Sequence, residues 1–108
     1  MLKERVTRGS GNVFADLGLP EPDLRLVKAA LALELTRLIR ACGLTQEVIA
    51  EQLGIDQPKV SNLLRGRLAG FSTERLLGFL TALGRDVEIA VKAAPGSRRQ
   101  GRVRVIAA

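Results

Sequence analysis

The sequence predicts a mainly α-helical chain, a bundle of about five helices followed by one C-terminal β-strand. Three observations carry this. Apolar residues recur at helical spacing through residues 23–42 and again through 73–83. Two short helices flank Gly54. Beyond Gly84 the apolar period drops from about 3.6 to two. At 108 residues there is material for one domain.

Residues 1–22 read as an N-terminal arm with a short helical turn. Residues 1–12 have no apolar period and contain Gly9, Ser10 and Gly11. Val13, Phe14, Ala15, Asp16 and Leu17 form the turn, with Ser10 or Asn12 as its cap and Gly18 as its stop. Phe14 is expected to staple this turn to the helices, or else to anchor a partner protein. Pro20 and Pro22 stiffen the connector, and Pro22 suits the first helical position. Residues 23–84 read as the main domain. Leu24, Val27, Leu31, Leu35, Leu38 and Cys42 make one stripe of a long helix that Gly43 ends. Leu26 and Leu33 lie off that stripe, so a second face is expected to be covered. Thr45 caps the next helix, which runs to about Leu53. The following one starts at Gln57 and Pro58 and ends near Leu64. Ser72 caps the last, which stops at Gly84. Phe71 and Phe79 are expected in the core.

Residues 85–93 read as a dimerisation strand, because Val87, Ile89 and Val91 alternate with Glu88, Ala90 and Lys92. A lone strand leaves its backbone groups without partners. Two partners are open: Val103, Arg104 and Val105 returning as a hairpin, or the same strand of a second subunit, with the dimer favoured. Residues 94–108 read as a mobile basic tail.

Composition narrows the chemistry. The net charge is +6, and there is no His, Trp or Tyr and one Cys. Without His the usual general base near neutral pH and the commonest metal ligand are missing. A single Cys makes neither an internal disulfide nor a Cys-rich zinc site. With three Phe as the only aromatics, base stacking in single-strand RNA modules has little support. No metal, cofactor or catalytic residue is expected, and the chain is expected not to be an enzyme. No apolar run is long enough to span a membrane, and the charged start at Lys3, Glu4 and Arg5 is not expected to be a secretory signal. Cys42 is expected to be a buried thiol at a helix end, with a redox role as the lesser alternative. The expected location is cytoplasmic. The charge excess points to an anionic partner.

The informative stretch is residues 44–66, which meets the requirements of a helix-turn-helix. Two short helices crossing closely need a small residue on the first, and Ala50 supplies it. The turn needs positive φ at its start, which Gly54 tolerates. Ile49, Leu53 and Ile55 face inward, as do Val60, Leu63 and Leu64. That leaves Gln57, Lys59, Ser61, Asn62 and Arg65 outward on the second helix, amides and hydroxyls with two cations and no carboxylate. Such a face suits a major groove lined with donors and acceptors. The competing reading is an ordinary helical hairpin with a solvated polar face.

Residues 31–84 resemble the Xre/Cro-type helix-turn-helix proteins, the repressor-like domain. The wider pattern resembles HigA-like Xre-family antitoxins: residues 11–19 (GNVFADLGL), Leu44-Thr45-Gln46, residues 54–61 (GIDQPKVS), Leu63, Arg65-Gly66, Phe71-Ser72 and residues 83–89 (LGRDVEI). The resemblance implies a homodimer that binds a palindromic double-stranded operator and represses its own operon, together with a RelE-like toxin as a possible partner. By position, it implies phosphate contact for Gln46, base reading for Gln57, Lys59, Ser61 and Asn62, and flanking phosphate contacts for Arg65 and Arg67. It implies pairing between subunits for Val87, Ile89 and Val91. Pro58 departs from many phage repressors, which place a polar residue there. Arg98, Arg99, Arg102 and Arg104 would strengthen phosphate binding without reading sequence, or serve solubility alone. The alternatives are a free-standing regulator without a toxin and a protein-interaction module that has lost DNA binding.

Overall fold

The computed structural model describes residues 21–98 and 100–107. The expected arm, the turn at residues 13–17 with its caps and stop, and the roles of Phe14 and Arg99 lie outside the described residues. Four helices follow one another: α1 (Glu21–Cys42), α2 (Gln46–Leu53), α3 (Gln57–Leu64) and α4 (Thr73–Ala82). None among the described residues is long and apolar enough to cross a membrane. The fifth expected helix was the turn at residues 13–17.

The 22 residues of α1 span about 33 Å. The helix starts at Glu21, one residue before the first position expected for Pro22, so Pro22 stands second. The missing N–H costs nothing there, since the first four amides of a helix have no partner within it. Leu31, Ala32, Leu35 and Ile39 are buried, with Val27 and Leu38 packed at the edge. Ile39, four residues after Leu35, takes the inward place that the stripe assigned to Cys42. Cys42 is exposed, a correction to the expected buried thiol. The last turn of α1 borders an open groove with Leu44, Gln52 and Leu83 instead of a packed helix. The Cys42 Sγ–H donates to the Ile39 carbonyl at 3.0 Å. Leu26 and Leu33 are exposed, so no described residue covers the second face of α1.

Each helix sends at least one fully buried aliphatic residue to a shared centre: Leu35, Ile49, Val60 with Leu63, and Leu76. Each such side chain contributes about 1.5–3 kcal/mol by leaving water. Phe71 and Phe79 are buried as expected, ring edge to ring face at 5.9 Å. The Arg75 guanidinium sits 5.4 Å over the Phe79 ring. This aromatic pair ties the loop after α3 to α4.

No strand is present among the described residues. Segment 85–93 has no ladder partner, and Ile89 and Val91 are 77% and 94% exposed. The in-chain hairpin is not formed. Val105, offered as part of its second arm, instead turns inward and is half-buried against the core. Within the tail, Val105 is the residue that meets the core.

Candidate nucleic-acid interface

The surface built by α2 and α3 begins with two helix starts. Thr45 Oγ1 accepts from the Val48 amide at 3.2 Å and opens α2 at Gln46. Asp56 Oδ1 accepts from the Lys59 amide at 3.0 Å and opens α3 at Gln57. Each cap satisfies an amide that the first turn leaves without a partner. Pro58 occupies the first turn of α3, where its fixed φ favours the helix.

The turn between them closes as the glycine requires. Gly54 has φ +71°, and the Ile55 amide reaches back to the Ala50 carbonyl at 3.0 Å. Ala50 and Val60 are both buried at the crossing. The exit of α3 uses the same device. Gly66 has φ +77° and donates to the Leu63 carbonyl at 3.1 Å, while the Arg67 amide donates to the Asn62 carbonyl at 2.9 Å. The Arg65 amide bonds the Ser61 carbonyl at 3.1 Å. The backbone carrying Arg65 and Arg67 is thus pinned to the last turn of α3.

The sequence-derived residues share this surface. Lys59, Arg65 and Arg67 are exposed; Gln46, Gln57, Ser61 and Asn62 are half-buried. Gln57 Nε2 donates to Gln46 Oε1 and joins the first residues of α2 and α3. One hydrogen of the Gln57 amide group is used; the second hydrogen and Oε1 stay available. Those two groups match the N7 and N6 edge of adenine. Lys59, Arg65 and Arg67 have no carboxylate partner among the described residues. Their positive charge faces solvent without a neutralising neighbour. The surface can take a polyanion and offers amide and hydroxyl groups for base edges.

Sequence reasoning missed two parts. The Gln46–Gln57 pair spans 11 positions across a turn, a contact that no local periodicity announces. Asp56 as the cap of α3 had a signal, an Asx residue just before Gln57 and Pro58, but it was absorbed into the turn. The strand residues Val87, Ile89 and Val91 lie outside this surface, exposed on the unpaired segment. Among the described residues no group of His, Cys, Asp and Glu could hold a metal ion.

Comparison with known proteins places this geometry. A family model described as a helix-turn-helix domain matches residues 13–92. A solved structure described as an XRE family transcriptional regulator is 45% identical, with a TM-score of 0.78. The match covers 82% of this chain and 100% of that one. No curated protein matches the chain.

Proposed function

We propose, from the premise that this chain belongs to the helix-turn-helix family and to its Xre type, that it is a repressor binding a palindromic duplex operator as a dimer. The observation that carries the reading is the outward face of α3. Gln57 is held by Gln46, Lys59 and Arg65 are unpaired among the described residues, and Ser61 and Asn62 lie between them. In this reading α3 enters the major groove, with Gln57, Lys59, Ser61 and Asn62 against base edges. Gln46, Arg65 and Arg67 hold phosphates on either side. No catalytic role is assigned, because the surface holds no His and no paired carboxylates.

The finer identity is an antitoxin that represses its own operon and neutralises a RelE-like toxin. The pattern described above, from residues 11–19 to residues 83–89, supports it.

The test is binding to a labelled duplex from upstream of its own gene, titrated over a range of salt. Specific affinity over a scrambled duplex, falling steeply as salt rises, is expected. Affinity that barely changes with salt and shows no sequence preference overturns the DNA-binding reading. Co-expression with the product of the neighbouring gene tests the antitoxin identity. Rescue of growth supports it, and a neighbour that is harmless alone removes it.

A further inference from the structure

The tail has two fixed points. The Arg98 amide donates to the Pro95 carbonyl at 3.0 Å and closes a turn. Seven residues later Val105 packs against the core. Between them the chain alternates Arg102, Val103, Arg104 and Val105. Val103 is 38% exposed against 74% for Ile106, and both arginines are exposed. Val105 is thus the residue of this stretch that reaches the core, while Arg102 and Arg104 stand in solvent. Arg98 is half-buried at the turn.

The three arginines feel one another. Arg104, and then Arg98, hold the Arg102 guanidinium below its usual pKa by repulsion. None of the three has a carboxylate partner among the described residues. A chain path that gathers like charges without a counter-charge leaves a site that an anion relieves. Guanidinium groups present planar forks that match phosphate oxygens.

We propose that Arg98, Arg102 and Arg104, held by Val105, form a second contact with duplex DNA phosphates that is independent of base sequence. The proposal rests on the reading of this chain as a DNA-binding protein, though not on its operator. It assigns the tail to affinity and leaves specificity to α3.

The probe is a scrambled duplex of about two turns, titrated against the full chain at several salt concentrations. Replacing Arg98, Arg102 and Arg104 together by Ala is expected to reduce the slope of log affinity against log salt by about 2–3, at about 0.9 per phosphate contact. An unchanged slope overturns the proposal and leaves the cluster to an acidic protein partner or to solubility. Val105→Ser keeps every charge and releases the anchor. It is expected to weaken binding with the slope retained, whereas unchanged affinity means a free cationic tail and overturns the built site. The two readings fail separately. Salt-dependent binding by the wild type with an unaltered triple variant sinks only the tail contact. A normal loss of slope in a chain that prefers no sequence sinks only the operator reading.

Discussion

At the scale of the residue, the site depends on what each polar group has left to give. Gln57 keeps one amide hydrogen and its oxygen after bonding Gln46, and in the proposed reading Gln46 would act on the groove by aiming its neighbour. If so, Gln46→Ala and Gln57→Ala are not additive in operator binding. A double-mutant cycle is expected to show coupling of at least about 0.5 kcal/mol, and strict additivity reduces Gln46 to an independent phosphate contact. Lys59 is exposed and unpaired among the described residues. Lys59→Ala is expected to weaken operator binding by about 1–3 kcal/mol, with the thermal midpoint unmoved. Little change in affinity takes Lys59 off the base-reading face. The outward set on α3 was legible in the sequence because Ala50, Gly54 and Val60 fix which side of a 3.6-residue helix faces in. The glutamine pair was not, since residues 46 and 57 meet only once the turn has folded.

At the scale of the element, the short helices depend on their ends. An eight-residue helix has little internal stability in water, so caps and tertiary packing decide whether α3 forms. Asp56→Ala is expected to lower stability by about 1 kcal/mol in urea denaturation, while Asp56→Asn keeps most of it. Equal losses for both would place the effect in the charge instead of the cap. Gly54→Ala isolates backbone strain. A Cβ there meets nothing within 4 Å, yet φ is +71°. The expected cost is about 1–2 kcal/mol, with Gly54→Asn costing less. A neutral Gly54→Ala would show that the turn relaxes to negative φ. Thr45 and Ser72 were readable as caps because each precedes a clear apolar period. Asp56 was hidden by the turn signals around it. Cys42 misled for a related reason. Helical spacing tells which residues share a stripe, and the last turn of α1 borders an open groove, so the stripe continues where the core does not.

At the scale of the whole molecule, the unresolved demand is in segment 85–93. Its alternation is that of a half-buried strand, yet in the single chain Ile89 and Val91 stand in solvent and the backbone has no ladder. Periodicity made the element legible and left the partner open, because pairing partners are set by what else is near. The in-chain candidate is not formed among the described residues, where Val105 packs half-buried against the core. The proposed dimer would supply a second copy, and an antiparallel pair of these segments would bury both apolar rows and satisfy both backbones. To read a two-fold operator, such a dimer would have to hold its two α3 helices about 34 Å apart, one duplex turn. Placing Asp at both 89 and 91 would set carboxylates in that seam. The expected result is a monomer by light scattering at micromolar concentration, with affinity for the full palindrome reduced and affinity for an isolated half-site retained. A wild-type chain that stays monomeric with and without operator overturns the dimer. A double variant that stays dimeric moves the seam elsewhere, with the exposed Leu26 and Leu33 face of α1 as the surface to substitute next.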